Sequence, residues 1–158
     1  MSLAHRSDPL HLYIVLSRAS ETLHAHTKAD IESHGLTQTE FAILEALYHK
    51  GPMLLNEVQK KILVSSGGIT FLIDKLEKRG LVERRPCESD RRARWAALTA
   101  EGEQLMKEIF PGHAEVIRRV VSGLTPEEQE QLAALAKKLG LSAAALPVEP
   151  SGTAKAGN

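Results

Sequence analysis

Two short amphipathic stretches follow one another almost without a break, and two alternating apolar segments come directly after them. Around Asn56–Ile62, residues Leu55, Val58 and Ile62 share one helical face; in Ser66–Arg79, residues Ile69, Leu72, Ile73 and Leu76 recur at i, i+3, i+4 and i+7. Only Leu63, Val64 and Ser65 lie between, so the helices join through a tight turn, the pattern of a helix-turn-helix. Ser65 or Ser66 supplies the N-cap of the second helix and Gly80 its stop. Leu81–Arg85 and Arg94–Leu98 read as short strands around a polar loop, a hairpin with a long tip. Few folds accept that order; it predicts a winged helix-turn-helix.

The flanks are helical as well. Leu12, Val15, Leu16, Ala19 and Leu23 form a stripe in one long helix from about Leu10 to His34, widened by Tyr13 and Ile14. Thr37 and Glu40 make a capping box, with Leu36 and Phe41 placed as a hydrophobic staple, and Gly51-Pro52 ends that helix. Thr99 caps a helix to about Val121, with a kink expected at Pro111-Gly112. Thr125-Pro126-Glu127-Glu128 opens a last helix whose stripe is Leu132, Leu135, Ala136 and Leu139, and which Gly140 is expected to stop. The Ala-, Pro-, Gly- and Ser-rich stretch after it reads as a disordered tail. The fold class is therefore mainly α with a small β-hairpin wing (α+β). Residues 37–99 form the winged helix-turn-helix lobe, 8–36 and 100–140 the flanking helices, and 141–158 the tail.

With 158 residues, 42% hydrophobic and 25% charged, the chain suits a globular domain rather than a disordered or membrane-spanning one. The start of the sequence does not read as a signal peptide, and the single cysteine, Cys87, makes no internal disulfide; a reducing cytoplasm is the expected compartment. The zero net charge hides an asymmetry. Between Asn56 and Trp95 ten basic residues stand against six acidic ones, a net +4, while the remainder has ten against fourteen, a net −4. A basic middle between acidic flanks suits a region that meets an anion.

Helical geometry places Phe71 roughly 150° from the buried stripe of the second short helix, beside Gly67, Thr70, Asp74 and Lys78, with Lys75 flanking. An outward phenylalanine suits a partner surface, and the thymine methyl group in the major groove is one. Ser65, Ser66 and Thr70 offer hydrogen bonds to bases or phosphates, and Gly67 and Gly68 permit close backbone approach. Arg84, Arg85, Arg91, Arg92 and Arg94 put five guanidiniums on the hairpin, where arginine suits a narrow minor groove. Asp90 is expected to hold a neighbouring arginine by a charge-assisted hydrogen bond.

Ser65-Ser66-Gly67-Gly68-Ile69-Thr70, Asp74 through Arg84, Asp90-Arg91-Arg92 and Leu98-Thr99-Ala100-Glu101-Gly102 together closely resemble the MarR (multiple antibiotic resistance regulator) family of transcription factors, over roughly Leu10 to Gly140. The resemblance implies a homodimer built on the first and last two helices. It places the Ser66–Arg79 helix in the major groove and Arg92 in the minor groove of a pseudo-palindromic double-stranded operator. It also implies a repressor released by a small aromatic or phenolic ligand, and the Ser65-Ser66-Gly67-Gly68-Ile69-Thr70 and Arg84-Arg85-Pro86-Cys87 segments look closest to the aromatic- and quinone-responsive branch. The DNA-contact set is then Ser65, Ser66, Gly68, Thr70, Phe71, Lys75, Arg79, Arg84, Arg91, Arg92 and Arg94, with Asp90 supporting the wing.

The effector is expected among Tyr13, Ser17, Phe41, Tyr48 and His49, which mix aromatic surface with polar groups. No two of the seven histidines stand at i, i+3 or i, i+4, and no metal-binding motif occurs, so neither metal nor cofactor is expected. Flanking arginines would favour the Cys87 thiolate. No catalytic motif is present, which leaves a winged-helix adaptor for a protein partner as the alternative to a DNA-binding regulator.

Overall fold

The computed structural model describes residues 8–62 and 66–147. The elements run α1 (Pro9–Ser33), α2 (Gln38–Lys50), β1 (Met53–Leu54), α3 (Leu55–Ile62), α4 (Ser66–Lys78), β2 (Val82–Pro86), β3 (Arg94–Leu98), α5 (Ala100–Val121) and α6 (Pro126–Ala144). The chain divides into two compact units at Val120–Val121.

The caps form where the sequence puts them. Thr37 Oγ1 accepts from the Glu40 amide at 3.2 Å and Glu40 Oε2 from the Thr37 amide at 2.8 Å, while Thr125 and Glu128 repeat the exchange at α6. Gly51 and Gly80 end α2 and α4 with φ of +76° and +72°. The core of the first unit gathers Ile43, Leu44 and Leu47 of α2, Val58 of α3, Ile69, Ile73 and Leu76 of α4, Val82 and Ala96 of the sheet, and Met106 and Ile109 of α5. Leu36 and Phe41 are both buried in it.

The hairpin expected from the sequence is part of a three-stranded antiparallel sheet ordered β1-β3-β2. Met53 and Leu54 pair with Ala96 and Trp95, a two-residue strand too short to leave any periodicity. The helix from Ala100 runs to Val121, as expected, and continues through Pro111, flanked by buried Ile109 and His113, whose packing holds it where one amide is missing. Two further expectations are corrected. Gly140 does not stop α6, which continues to Ala144: it lacks the positive φ of Gly80, and an interior glycine costs only about 1 kcal/mol against alanine. Ser142 to Ala144, assigned to a tail, are thus helical, and residues 148–158 of that tail lie outside the described residues.

The stripe on α1 is not buried in the single chain. Ile31 is the buried residue of this helix, whereas Leu12, Val15, Ala19 and Leu23 face outward. The stripe of α6 is likewise open at Leu132, Leu135 and Leu139. Periodicity marks a face that wants covering; it does not say what covers it.

Candidate nucleic-acid interface

α4 presents two unlike faces. Ile69, Ile73 and Leu76 are buried, with Leu72 half-buried beside them. Thr70, Phe71, Asp74, Lys75 and Lys78 lie on the exposed side, and Phe71 is 67% exposed. Ser66 opens the helix and Gly68 is half-buried in its first turn; Ser65, with Leu63 and Val64, falls outside the described residues.

The basic residues near α4 divide into tied and free groups. Arg84, on β2, reaches back to α4: its guanidinium meets Asp74 Oδ1 at 2.7 Å, pairs with the Glu77 carboxylate, and donates to the Thr70 carbonyl at 3.3 Å. Its amide donates to Glu77 Oε1 at 2.9 Å. Lys75 and Arg79 turn to α2, where Glu40 is buried: Lys75 Nζ lies 3.0 Å from Oε1, and Arg79 lies 3.6 Å from Oε2 and donates to the Gly35 carbonyl at 3.2 Å. The Lys75 contact misses hydrogen-bonding geometry and is an ion pair only. Burial pushes the Glu40 carboxyl pKa up, but the Thr37 amide and then Lys75 outweigh it and hold the group below its ordinary value. Arg85 pairs with Glu83 at 2.7 Å.

At the wing tip, Asp90 Oδ1 accepts from the Arg92 backbone amide at 2.8 Å, and the Asp90 carbonyl accepts from Ala93 at 3.1 Å. The aspartate therefore fixes the turn through the main chain, where the sequence had suggested a link to a neighbouring arginine. Arg94 donates to the carbonyls of Arg91 and Ala93 at 2.8 and 2.9 Å. The guanidiniums of Arg91 and Arg92 are exposed and have no partner among the described residues. Cys87 sits half-buried at the base of this tip; hydrogen bonding from Ser89, with the hydroxyl 3.3 Å from Sγ, holds its thiol below the ordinary value.

The base of the wing is locked to α5. Thr99 donates through its amide to the Leu81 carbonyl at 3.1 Å and through Oγ1 to the Gly80 carbonyl at 2.5 Å, and its Oγ1 accepts from the Gly102 amide at 3.0 Å. A Cβ on Gly102 would stand 2.0 Å from the Leu81 carbonyl oxygen. Glycine is the residue that lets α5 start against the end of α4.

Of the five residues expected to hold an effector, the three on α2 lie against α5 and two are on α1. Tyr48 and His49 meet Phe110 of α5, with ring centroids 5.9 and 4.6 Å apart. Phe41 is buried against His113, 4.4 Å away. Tyr13 is exposed and Ser17 half-buried on α1. Sequence reasoning missed Asp30 and His113: His113 Nδ1 lies 2.7 Å from Asp30 Oδ2, and His34 Nε2 lies 3.7 Å from Asp30 Oδ1. The Asp30–His34 spacing of four on one helix was the available signal. No cluster of three His, Cys, Asp or Glu side chains among the described residues is arranged to hold a metal ion. No described helix is long and apolar enough to cross a membrane. An open cleft of about 470 Å³ lies on the α3 side of α2, with His49 at its edge.

The MarR family model matches residues 36–93, the segment from the start of α2 to the wing tip. The chain is 45% identical over 134 residues to the HTH-type transcriptional regulator MhqR of Bacillus subtilis, covering 85% of this chain and 92% of that one. The structure resembles Sco3205, a MarR family transcriptional regulator from Streptomyces coelicolor solved in complex with DNA. Its TM-score is 0.79 and its identity 24%, covering 92% of this chain and 94% of that one, a likeness of fold. BpsR of Bordetella bronchiseptica, whose DNA binding is regulated by 6-hydroxynicotinic acid, matches with TM-score 0.72 and 26% identity over 82% of this chain and 98% of its own.

Proposed function

The chain belongs to the MarR family and is a DNA-binding transcriptional regulator rather than an enzyme, and from that premise we propose that it is a cytoplasmic homodimeric repressor released by a small aromatic, phenolic or quinone effector. The observation that carries the DNA contact is the pairing of an outward Phe71 on α4 with two guanidiniums, Arg91 and Arg92, on the adjoining wing, which have no partner among the described residues. Phe71, Thr70, Gly68 and Ser66 of α4, with Ser65 before them in the sequence, read the major groove, and Arg92, with Arg91 and Arg94 beside it, enters the minor groove. Lys75, Arg79 and Arg84 take another role: each already holds a carboxylate, and they set α4 against α2 and the wing.

Residues 37–99 act as the DNA-binding lobe, and 8–36 with 100–140 as the dimerisation helices. Support for the dimer is the open apolar face on α1 and, separately, on α6, none of whose residues is buried in one chain. Two-fold symmetry then calls for half-sites about one helical turn apart. The effector class is supported by BpsR, which responds to a hydroxylated aromatic acid.

Fluorescence anisotropy on the chain's own upstream DNA against a scrambled duplex, across a salt series, tests the reading. The expected result is sequence-preferring binding that weakens steeply with salt, and release by salicylate or methylhydroquinone. Equal, weak binding to both duplexes would overturn it in favour of a protein-binding adaptor.

A further inference from the structure

Two polar side chains are buried among the described residues, Glu40 of α2 and His113 of α5. Glu40 is accounted for by its cap and by Lys75 and Arg79. His113 has no such explanation. It continues the buried face of α5 that Met106 and Ile109 begin, at a position where an aliphatic side chain would pack as well. A polar group there costs free energy unless it is paired, and apolar residues in place of a buried charged pair are often neutral or stabilising. What such a pair supplies is a single geometry.

His113 Nδ1 donates to Asp30 Oδ2 at 2.7 Å, and the ring packs on Phe41 with 4.4 Å between centroids. Asp30 is half-buried near the end of α1, with His34 Nε2 3.7 Å from its other oxygen. Just beyond the helix, the Gly35 carbonyl accepts from Arg79 of α4 at 3.2 Å. The stretch between the two contacts is tightly closed. The Gly35 amide donates to the Glu32 carbonyl at 3.0 Å and the Leu36 amide to the Ile31 carbonyl at 3.4 Å. Ile31 and Leu36 are buried, and Gly35 holds a φ of +70°. The turn between α1 and α2 is thus gripped twice, from α5 through Asp30 and from α4 through Gly35. Neighbouring residues of α2 touch both grips: Glu40 pairs with Arg79, and Phe41 packs on His113.

We propose that Asp30 and His113 are positioning residues for DNA binding. They fix the last turn of α1, and with it the carbonyl that Arg79 holds, so that α4 meets the groove at one angle. The proposal rests on the reading of α4 as the helix that enters the groove. Neither side chain belongs to the DNA-contact set; both act through the turn.

The test replaces the pair by apolar residues, Asp30→Ala with His113→Leu, in the full chain. The urea midpoint should be kept or raised. Operator affinity by anisotropy should fall about fivefold, with the salt slope unchanged because the phosphate contacts are the same. Amide exchange in the free chain should quicken at Arg79 and Gly80, which close the last turn of α4, and stay unchanged in β2 and β3. Affinity lost without stability is the mark of positioning; a pair that only packs moves the two together. A midpoint that falls in step with affinity, an unchanged affinity, or a lost affinity with unchanged exchange at Arg79 and Gly80 each overturns the proposal. If the double variant does not fold, Asp30→Asn and Asp30→Ala decide. The amide oxygen of asparagine still accepts from Nδ1, so Asp30→Asn should bind within about twofold of the unmodified chain and Asp30→Ala about fivefold more weakly. Equal affinities of those two variants overturn it. If the unmodified chain prefers neither its own upstream DNA nor the scrambled duplex, the DNA reading falls, and exchange at Arg79 and Gly80 still decides whether the pair sets α4.

Discussion

Arg84 and Arg92 lie on the same hairpin, and substituting each by alanine should have opposite signatures. Arg84 joins β2 to α4 through Asp74, Glu77 and the Thr70 carbonyl, and its side chain is 23% exposed. Its carboxylate partners are 50% and 32% exposed, so water reaches them once the guanidinium is gone. The loss then falls between an exposed ion pair, about 0.2–1 kcal/mol, and a charged hydrogen bond with a buried partner, about 1.5–3 kcal/mol. Two carboxylates and a packed stem put Arg84→Ala at about 2 kcal/mol of stability, with the Arg84 amide bond to Glu77 surviving. Operator affinity should fall about tenfold, a cost of about 1.4 kcal/mol, because the wing no longer registers against α4. The salt dependence should not change. Arg92→Ala should leave stability within about 0.5 kcal/mol and weaken binding by about 1–3 kcal/mol. In a dimer it removes two phosphate-neutralising charges, so the slope of log K against log salt should fall in magnitude by about 1.8. Urea denaturation and anisotropy over a salt series read both quantities. The positioning role of Arg84 is refuted if Arg84→Ala flattens the salt slope as Arg92→Ala does while leaving stability intact. Arg84→Lys is the control: one ammonium does not replace a fork that meets two carboxylates, so it should not restore affinity.

Gly102→Ala places a Cβ 2.0 Å from the Leu81 carbonyl oxygen, and separating α5 from the end of α4 should cost about 2–3 kcal/mol despite alanine's better helix propensity; an unchanged urea midpoint would contradict this. Glu40→Gln keeps the capping geometry and loses the charge, so it should destabilise by about 1–2 kcal/mol at neutral pH, since Lys75 and Arg79 can hydrate. The folded-state pKa of Glu40 is depressed, so this contribution is complete above its ordinary value of 4.5 and disappears as pH falls through the folded value. Denaturation curves of the unmodified chain and Glu40→Gln should therefore converge on acidification, and a gap that widens would reverse the assignment. Phe71→Ala should leave stability within about 0.5 kcal/mol, given the exposure of the ring, and should relax discrimination at one operator position, where a mismatch ordinarily costs about 1–3 kcal/mol.

The parts of this fold that were legible in the sequence are those fixed within a few residues. The boxes at Thr37–Glu40 and Thr125–Glu128 each span four residues, and a stripe such as Ile69–Leu76 needs only one helix to show itself. What the sequence hid depends on distant partners. Lys75 reaches back 35 positions to Glu40, and Arg79 reaches 44 to the Gly35 carbonyl, so nothing local distinguishes them from cations aimed at solvent. The same limit explains the aromatic residues of α2. Phe41 and Tyr48 lie seven positions apart, yet Phe41 packs on His113 and Tyr48 on Phe110, so neither is left over as a free wall. The apolar stripes of α1 and α6 repeat the point at a larger scale, since their periodicity is complete and yet they are open in the single chain.

A count of basic residues overstates a DNA-binding surface, because folding neutralises some of them first. Arg84 and Arg85 of the wing and Lys75 and Arg79 of α4 each face a carboxylate, and Arg94 closes the tip turn. On the wing that leaves Arg91 and Arg92 with no internal partner among the described residues, at a turn that Asp90 fixes through the backbone. The acidic residues on and beside α4 make sense in the same terms. Asp74 and Glu77 would repel phosphate if left alone, and with Arg84 between them they become the joint that holds the wing to α4. The free charge of the wing then lies on the two tip arginines, and the tied residues behind them set the aim of that tip.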